Sequence, residues 1–171
     1  KGVFYLISLM LKAIMAIDDD SGVSKFGSMP WPKNSSDLQW FKKNTINQVV
    51  IMGRLTWIDP MMPTPLPNRI NVLVTSKPPS LFPGAHNYIS SNLIANIKNI
   101  INEHEKLEKW IIGGPNIVDQ LFDLIDTFYL TRIYGRFNCD KQLNLQKIQK
   151  YMKLDKKIKN TNSCHFEVWK R

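Results

Sequence analysis

The chain has 171 residues, of which 43% are hydrophobic and 22% charged, so it is expected to fold as one globular domain and not as a low-complexity or disordered chain. The net charge of +9 favours anionic partners in general, but no run of five basic residues occurs and dedicated nucleic-acid binding is not indicated. The two cysteines, Cys139 and Cys164, are too few for a disulfide scaffold, and neither they nor the three histidines show a metal-ligand spacing, so we expect a cytoplasmic protein without a metal site.

The N-terminal region is mostly apolar, but it does not predict a membrane segment. Lys12 interrupts the apolar run, which is also too short to cross a bilayer. Residues 10–17 are typical of a buried strand. We therefore expect Met10 to be the natural start, with residues 1–9 as an N-terminal extension and residues 10–171 as the folded domain.

A polar loop and a helix follow this strand. Residues 18–28 predict a mobile loop, and the three acids of residues 18–20 predict a solvated turn or a weak cation site. Ser35 or Ser36 is expected to cap a helix that runs to about Asn44.

Asp37, Leu38 and Phe41 share one face of that helix, because side chains three and four residues apart are neighbours. Apolar walls beside a carboxylate suit a flat ring that carries N–H groups. The alternative is an ordinary helix N-terminus, where an acid is favoured by capping and by the helix dipole.

Two strand-to-helix junctions have the composition of phosphate sites. Residues 49–52 predict a buried strand that ends at Gly53, and residues 54–57 begin a helix with Arg54. Residues 110–112 predict another strand, which the Gly113-Gly114-Pro115 turn joins to a helix. Each junction alone is also typical of a plain helix start, but two of them favour an elongated ligand such as a dinucleotide.

The segments between these junctions add two candidate anion sites. Residues 60–67 hold four prolines and stiffen the approach to Arg69, which could bind a carboxylate or lie on a surface turn. Residues 71–76 predict a strand whose end, Thr75-Ser76-Lys77, could hold a phosphate or form a simple turn.

The remaining pattern completes an α/β domain. Shorter strands are predicted at residues 87–90 and 127–134, a helix at residues 92–105, and a final edge strand at residues 165–169. This alternation predicts one domain with a central, mostly parallel β-sheet flanked by helices and an antiparallel C-terminal edge strand. Ligands of such sheets lie at the carboxyl ends of the strands.

Six motifs in this order resemble the dihydrofolate reductase family. They are Met29-Pro30-Trp31, Asp37-Leu38-Gln39-Trp40-Phe41-Lys42, Val50-Ile51-Met52-Gly53-Arg54-Leu55-Thr56-Trp57, Leu66-Pro67-Asn68-Arg69, Ile111-Ile112-Gly113-Gly114 and Tyr129-Leu130-Thr131-Arg132-Ile133. The resemblance extends from Met10 to the C-terminus and implies the family fold.

The resemblance also implies an activity, namely reduction of 7,8-dihydrofolate by NADPH in a monomer, with no nucleic-acid or membrane partner. It implies that Asp37, Trp31 and Thr131 act in catalysis, with Asp37 on the pterin and Thr131 bracing it. The implied substrate-binding residues are Ile14, Asp37, Leu38, Phe41, Leu66, Arg69, Ile112 and Thr131. The implied cofactor-binding residues are Ala16, Val23, Ser28, Gly53, Arg54, Leu55, Thr56, Thr75, Ser76, Lys77, Gly113, Gly114, Pro115, Asn116 and Ile117.

Two other functions are considered beside this one. One is a reductase of the same fold that acts on another pyrimidine- or pterin-like substrate, and the other is a catalytically inactive family member used as a structural or nucleic-acid-binding protein. Asp37 beside Phe41, together with Arg69, argues for folate, and the retained glycine pair argues against an inactive protein. Cys139 departs from the family, in which a hinge glycine is common at this position.

Overall fold

The structure is a computed structural model that describes residues 11–159 and 161–171. The predicted extension at residues 1–9 and the predicted start at Met10 lie outside the described residues. No helix among the described residues has both the length and the apolar character needed to span a bilayer. The same residues contain no group of three His, Cys, Asp or Glu side chains that could hold a metal ion.

Eight strands form one central sheet, and two short strands form a second one. The strands are β1 (Leu11–Ile17), β2 (Gly22–Ser24), β3 (Val49–Gly53), β4 (Ile70–Val74), β5 (Asn87–Ile89), β6 (Lys109–Gly113), β7 (Ile125–Ile133), β8 (Lys141–Gln142), β9 (Lys153–Lys159) and β10 (Cys164–Lys170). The helices are α1 (Ser35–Thr45), α2 (Arg54–Trp57), α3 (Leu93–Glu103), α4 (Pro115–Leu121) and α5 (Leu145–Tyr151).

The central sheet runs in the order β5-β4-β3-β6-β1-β7-β10-β9, and β2 pairs with β8 outside it. Along this order, the pairs from β5-β4 to β1-β7 are all parallel. The last two pairs are antiparallel, because β10 runs opposite to both β7 and β9. The predicted α/β fold with a mostly parallel sheet and an antiparallel C-terminal strand is confirmed.

The position of that last strand differs from the prediction. β10 pairs on both sides, so residues 165–169 are not at the edge, which is formed by β9. The reason lies in burial: residues 164–168 are buried, whereas residues 153–158 are exposed and Lys-rich. An edge strand that faces water on both sides lacks the apolar alternation by which strands are recognised.

The central strands form the core because both of their faces are covered. Every residue of β3 and β6 is buried, and the core residues Ile51, Ile111 and Leu130 are almost inaccessible to solvent. Parallel strands covered on both faces are expected to be continuously apolar, as β3 is and as β6 is after Lys109. β6 lies between β3 and β1, so strands from the two halves of the chain meet there and their carboxyl ends open on one crevice.

The N-terminus of α1 also differs in detail from the prediction. Asn34, and not Ser35 or Ser36, is the cap, and its side-chain oxygen accepts a hydrogen bond from the Asp37 N–H at 3.1 Å. The helix packs against the sheet through Trp40, whose ring stacks on Phe166 of β10 with centroids 4.4 Å apart. This cap and this stack fix the direction in which α1 enters the crevice.

Asp18 joins the loop after β1 to the loop after β7. It is only 1% exposed and accepts hydrogen bonds from the N–H groups of Asp20, Gly22 and Phe137. Burial alone would raise the pKa of Asp18, but these three backbone donors outweigh it and lower the pKa. The predicted solvated turn is therefore wrong for Asp18, although Asp19 and Asp20 are exposed.

Gly22 and Cys139 are in close contact at this joint. A Cβ atom added to Gly22 would lie 2.6 Å from the Cys139 sulfur and 2.9 Å from a carboxylate oxygen of Asp18. The Cys139 thiol points at Asp18, with the sulfur 3.6 Å from its carboxylate, and burial beside that acid raises the pKa of Cys139 to about 11. The thiol is therefore a neutral packing group that leaves room for glycine alone at position 22.

We expect Gly22→Ala to destabilise the protein by about 1–3 kcal/mol, because overpacking at a closed site displaces its neighbours. Cys139→Gly opens the same space, so the double variant Gly22→Ala, Cys139→Gly should regain most of the loss. Urea unfolding of the wild type, both single variants and the double variant measures the coupling between the two positions. Additive effects of the two substitutions would contradict a direct contact.

Candidate active site

A cavity of about 320 Å³ opens at the carboxyl ends of β1 and β6, beside α1. It contains seven of the eight predicted substrate-binding residues, all except Thr131. Its lining consists of Ile14, Met15, Ala16, Met29, Asp37, Leu38, Phe41, Lys42, Ile46, Met61, Met62, Pro63, Leu66, Pro67, Asn68, Arg69 and Ile112. The lining is mainly apolar, and Asp37 is its only acid.

Asp37 lines this cavity and is 9% exposed. Burial raises the pKa of Asp37, and the hydroxyl of the neighbouring Thr131 acts in the opposite direction. Thr131 is 1% exposed, and its oxygen makes no hydrogen bond of standard geometry with any described residue. A desolvated acid beside an unsatisfied hydroxyl is a strong site for a ligand that donates N–H groups.

The walls of the cavity come from elements that are distant in sequence. Ile14 of β1, Ile112 of β6 and Leu66 of the proline-rich loop are buried and belong to one apolar cluster, against which Phe41 packs. Leu38 lines the mouth and is more exposed. A slot with apolar walls and one polar end suits a flat, partly polar ring.

Arg69 lies in the same cavity and is 9% exposed. Its guanidinium carbon lies 5.8 Å from the centre of the Phe41 ring, and its Nη1 donates to the Pro67 carbonyl at 3.2 Å. Its Nε has no hydrogen-bond partner among the described residues, and burial lowers its pKa. A buried guanidinium without a carboxylate partner is suited to binding one from a ligand.

The two glycine junctions meet beside this cavity. Gly53 at the end of β3 and Gly113 at the end of β6 are close, since a Cβ on Gly53 would lie 3.9 Å from the Gly113 carbonyl oxygen and 3.1 Å from Ile117. Gly113 has φ +135°, and a Cβ there would lie 3.0 Å from the Thr56 hydroxyl. The Gly113–Gly114 peptide is cis.

The same junctions leave room for a dinucleotide. A Cβ added to Gly114 would meet nothing within 4 Å, so open space adjoins this glycine. The first N–H groups of α4, which include those of Asn116 and Ile117, precede any intrahelical acceptor and can bind a ligand. Arg54 and Leu55 begin α2 at the next strand end, and Pro115 begins α4.

The predicted phosphate site at residues 75–77 lies just beyond β4. β4 ends at Val74, so the structure shortens the predicted strand and places Thr75 and Ser76 in the following turn. Ser76 and Lys77 are exposed, whereas Thr75 is buried and its hydroxyl accepts a hydrogen bond from the Lys77 N–H at 3.1 Å. Ser76 and Lys77 are thus the groups open to an anion.

The predicted residues in and after β1 lie in different surroundings. Ala16 lines the cavity, and the Ser28 hydroxyl donates to Asp59 at 2.9 Å. Trp31 is buried against Phe137, with ring centroids 5.9 Å apart, and does not line the cavity. The side chain of Val23 is buried in the main core, so only its backbone is open to a ligand.

Sequence reasoning missed several lining residues. Part of the wall is formed by Met61, Met62 and Pro63. These residues lie in the proline-rich loop, where the sequence gave no basis for assigning a pocket residue. Ile46 could have been found, because it lies eight residues after Leu38, a spacing that places two residues on the same helix face. The methionines gave no signal of their own, since Met fills irregular gaps anywhere in a core.

Comparison with known proteins gives one consistent result. A family model described as dihydrofolate reductase matches residues 10–171. A dihydrofolate reductase of Bacillus subtilis is 33% identical over 133 residues, which cover 77% of this chain and 74% of that protein. The type 9 dihydrofolate reductase of Escherichia coli is 30% identical over 166 residues, which cover 93% and 92% of the two chains.

A solved structure agrees with these relatives. Dihydrofolate reductase from Enterococcus faecalis, complexed with NADP(H) and RAB-propyl, superposes with a TM-score of 0.77 at 26% identity. The match covers 96% of this chain and 97% of that one.

The raised pKa of Asp37 predicts how stability changes with pH. The folded protein binds this proton more tightly than the unfolded chain, whose pKa is near 3.8, so the free energy of unfolding falls as pH rises from 3.8 through the raised pKa. Asp37→Asn cannot ionise, and we expect it to be more stable than the wild type at pH 7 and to lose that advantage below pH 3.8.

Urea unfolding at a series of pH values measures this difference. The exposed acid Asp123 provides a matched control, and Asp123→Asn should show no such trend. A stability difference that does not change with pH would contradict the assignment of a raised pKa to Asp37.

Proposed function

Because the chain belongs to the dihydrofolate reductase family, we propose that the cavity between Asp37 and Arg69 is where it reduces 7,8-dihydrofolate to 5,6,7,8-tetrahydrofolate. The chain is an NADPH-dependent oxidoreductase. The observation that supports this location is the pairing of one buried acid and one buried arginine without a carboxylate partner in a single apolar cavity.

Asp37 anchors the pterin ring. The ring presents an amino group and a ring N–H on one edge, and a carboxylate can accept both hydrogen bonds at once. Thr131 supports this acid, because its buried hydroxyl lies beside the carboxylate and makes no hydrogen bond of standard geometry with any described residue. Leu38, Phe41, Ile14 and Ile112 hold the faces of the ring and exclude water from it.

NADPH, when bound, supplies the hydride that reaches the pterin C6. Asp37 contacts the ring edge far from N5, so it raises the basicity of N5 through the ring and does not hand over the proton directly. Water at the mouth of the cavity delivers that proton. Trp31 contributes by its position next to Met29, which lines the cavity, and the protein as a whole supplies orientation and electrostatics.

The residues around the two glycine junctions are the proposed cofactor site. Their fit rests on the open space at Gly114, the close approach of Gly53 and Gly113, and the free helix N–H groups. Arg54 and Thr56 would hold the phosphates, and Ser76 with Lys77 would hold the additional phosphate that distinguishes NADPH from NADH. The backbone of Ala16, Val23 and Ser28 would complete the site.

Arg69 binds the carboxylate of the glutamate that ends the substrate. Its guanidinium offers two parallel donors to a carboxylate, and its unpartnered Nε provides a third. We also place the enzyme in the cytoplasm as a monomer, in keeping with two cysteines that are both free. The net charge of +9 then attracts the two ligands, which are both multiply anionic, and is not explained by nucleic-acid binding.

Asp37→Asn tests the catalytic assignment. We expect the purified protein to oxidise NADPH when dihydrofolate is added. The reaction is measured as the loss of absorbance of the reduced nicotinamide. Asp37→Asn should lower kcat/KM at pH 7 by about 100-fold or more, the usual range for a residue that assists proton transfer. Asp123→Asn is the control and should keep the wild-type rate, while near-normal turnover by Asp37→Asn would show that another group anchors the pterin.

Arg69→Leu tests the carboxylate site. We expect KM for dihydrofolate to rise by about 30-fold or more, since losing one partner of a buried charge pair costs 2 to 5 kcal/mol. The discriminating control is 6-methyl-7,8-dihydropterin, which has no glutamate and should be reduced equally well by both proteins. An equal loss on both substrates would mean that Arg69 acts through the fold and not on the carboxylate.

A further inference from the structure

Asn71 is a polar residue of β4 that lies completely inside the protein, with an exposed fraction of 0%. Its side chain does not line the substrate cavity. A buried amide is costly unless its donors and its acceptor are all paired, so the groups that it binds indicate what it does.

The Asn71 amide holds residues 66–69, which we call the arginine segment, at both ends. Its Oδ1 accepts a hydrogen bond from the Leu66 N–H at 2.8 Å. Its Nδ2 donates to the Leu66 carbonyl at 3.0 Å and to the Arg69 carbonyl at 3.1 Å. Both amide donors and the acceptor oxygen are therefore used on this one segment.

The shape of the arginine segment determines where the Arg69 guanidinium lies. Nη1 of Arg69 donates to the Pro67 carbonyl at 3.2 Å, so the side chain folds back onto its own segment. On the outer side of the segment, the Asn47 N–H donates to the Asn68 carbonyl at 2.8 Å. A change in the backbone of residues 66–69 would therefore move the guanidinium relative to the cavity.

His86 in turn holds the backbone of Asn71. The N–H of Ile70 donates to the Gln48 carbonyl on the β3 side, and the N–H of Asn71, the next along the strand, points to the opposite edge. β5 begins only at Asn87, and the His86 ring provides the acceptor there: its Nδ1 accepts from the Asn71 N–H at 2.9 Å. The His86 N–H donates to the Asn71 carbonyl, also at 2.9 Å.

A purely structural role for these bonds is the alternative. Two observations favour a functional one. All the hydrogen bonds of the Asn71 side chain go to the segment that carries Arg69, and the buried Nε of Arg69 has no partner among the described residues. The protein therefore holds in place a group whose own donor it leaves unpaired, which is the arrangement expected of a preorganised ligand site.

We propose that Asn71 is a positioning residue that directs Arg69 towards the substrate carboxylate, and that His86 supports it. This inference rests on the proposed function, because it takes Arg69 to bind that carboxylate. A guanidinium fixed in direction before binding loses less conformational freedom when the substrate arrives. Asn71 thus acts on the affinity for the substrate and not on the reacting ring.

Asn71→Leu removes the amide at nearly constant volume. We expect KM for dihydrofolate to rise about tenfold with unchanged kcat, the effect of misplacing one hydrogen bond to a charged group. The kcat/KM for 6-methyl-7,8-dihydropterin, which has no glutamate, should stay at the wild-type value. Steady-state oxidation of NADPH measures both, and thermal unfolding establishes that the variant is folded.

The double variant Asn71→Leu, Arg69→Leu separates action through Arg69 from a general effect. If Asn71 acts through the guanidinium, the double variant should have the same KM for dihydrofolate as Arg69→Leu alone, because residues that share one interaction are not additive. Additive effects of the two substitutions would overturn the proposal.

Two variants of His86 test the same chain of contacts without changing the buried amide. His86→Leu removes the acceptor of the Asn71 N–H and should raise KM for dihydrofolate, though less than Asn71→Leu does. His86→Asn places an oxygen near the position of Nδ1 and should restore the wild-type KM. These variants also decide the question if Asn71→Leu does not fold.

Asn96→Leu is the matched control. Asn96 lies on α3, where its Nδ2 donates to the Ser91 carbonyl at 2.8 Å, and it does not line the cavity, so both substrates should keep their wild-type KM. Equal losses on dihydrofolate and on the dihydropterin in Asn71→Leu and His86→Leu would overturn the proposal. No turnover of either substrate by the wild type would instead contradict the proposed function, and this inference with it.

Discussion

The desolvation of Asp37 is the constraint on which the rest of the site depends. A carboxylate at the end of an apolar cavity is costly in its charged form, and the surrounding structure must hold it there. The Asn34 cap orients the first turn of α1, the Trp40–Phe166 stack presses that helix onto the sheet, and β7 brings Thr131 alongside. The cap is a local contact, whereas the stack and the Thr131 contact join parts of the chain that are distant in sequence.

Arg69 imposes a second desolvation cost in the same cavity. Two opposite charges are buried in one space, and neither forms an ion pair with a described residue. Such a pair of unsatisfied groups reduces the stability of the empty protein, and the almost inaccessible core around β3 and β6 offsets it. The cavity therefore contains one acid and one arginine of opposite charge, and a ligand that carries both N–H donors and a carboxylate can satisfy both groups.

The sequence predicted the parts of the fold that depend on local pattern. β3 is continuously apolar, as is β6 after Lys109, and their end glycines and the acid of α1 could be read from spacing alone. It did not predict the burial of Asp18, because that depends on Phe137, which lies 119 residues away. It also missed β9, whose exposed lysines lack a strand pattern, and the wall of Met61 and Met62, because gap-filling side chains have no periodicity.

The loops around the cavity are mechanically linked by one acid. Asp59 Oδ1 accepts hydrogen bonds from the Ser28 hydroxyl at 2.9 Å and from the Met61 N–H at 2.8 Å. Ser28 belongs to the loop after β1, which is fixed at its other end by Asp18, and Met61 belongs to the cavity wall. A displacement of the Ser28 loop must break a bond to the segment that carries Met61, so the position of this loop and the width of the cavity are not independent.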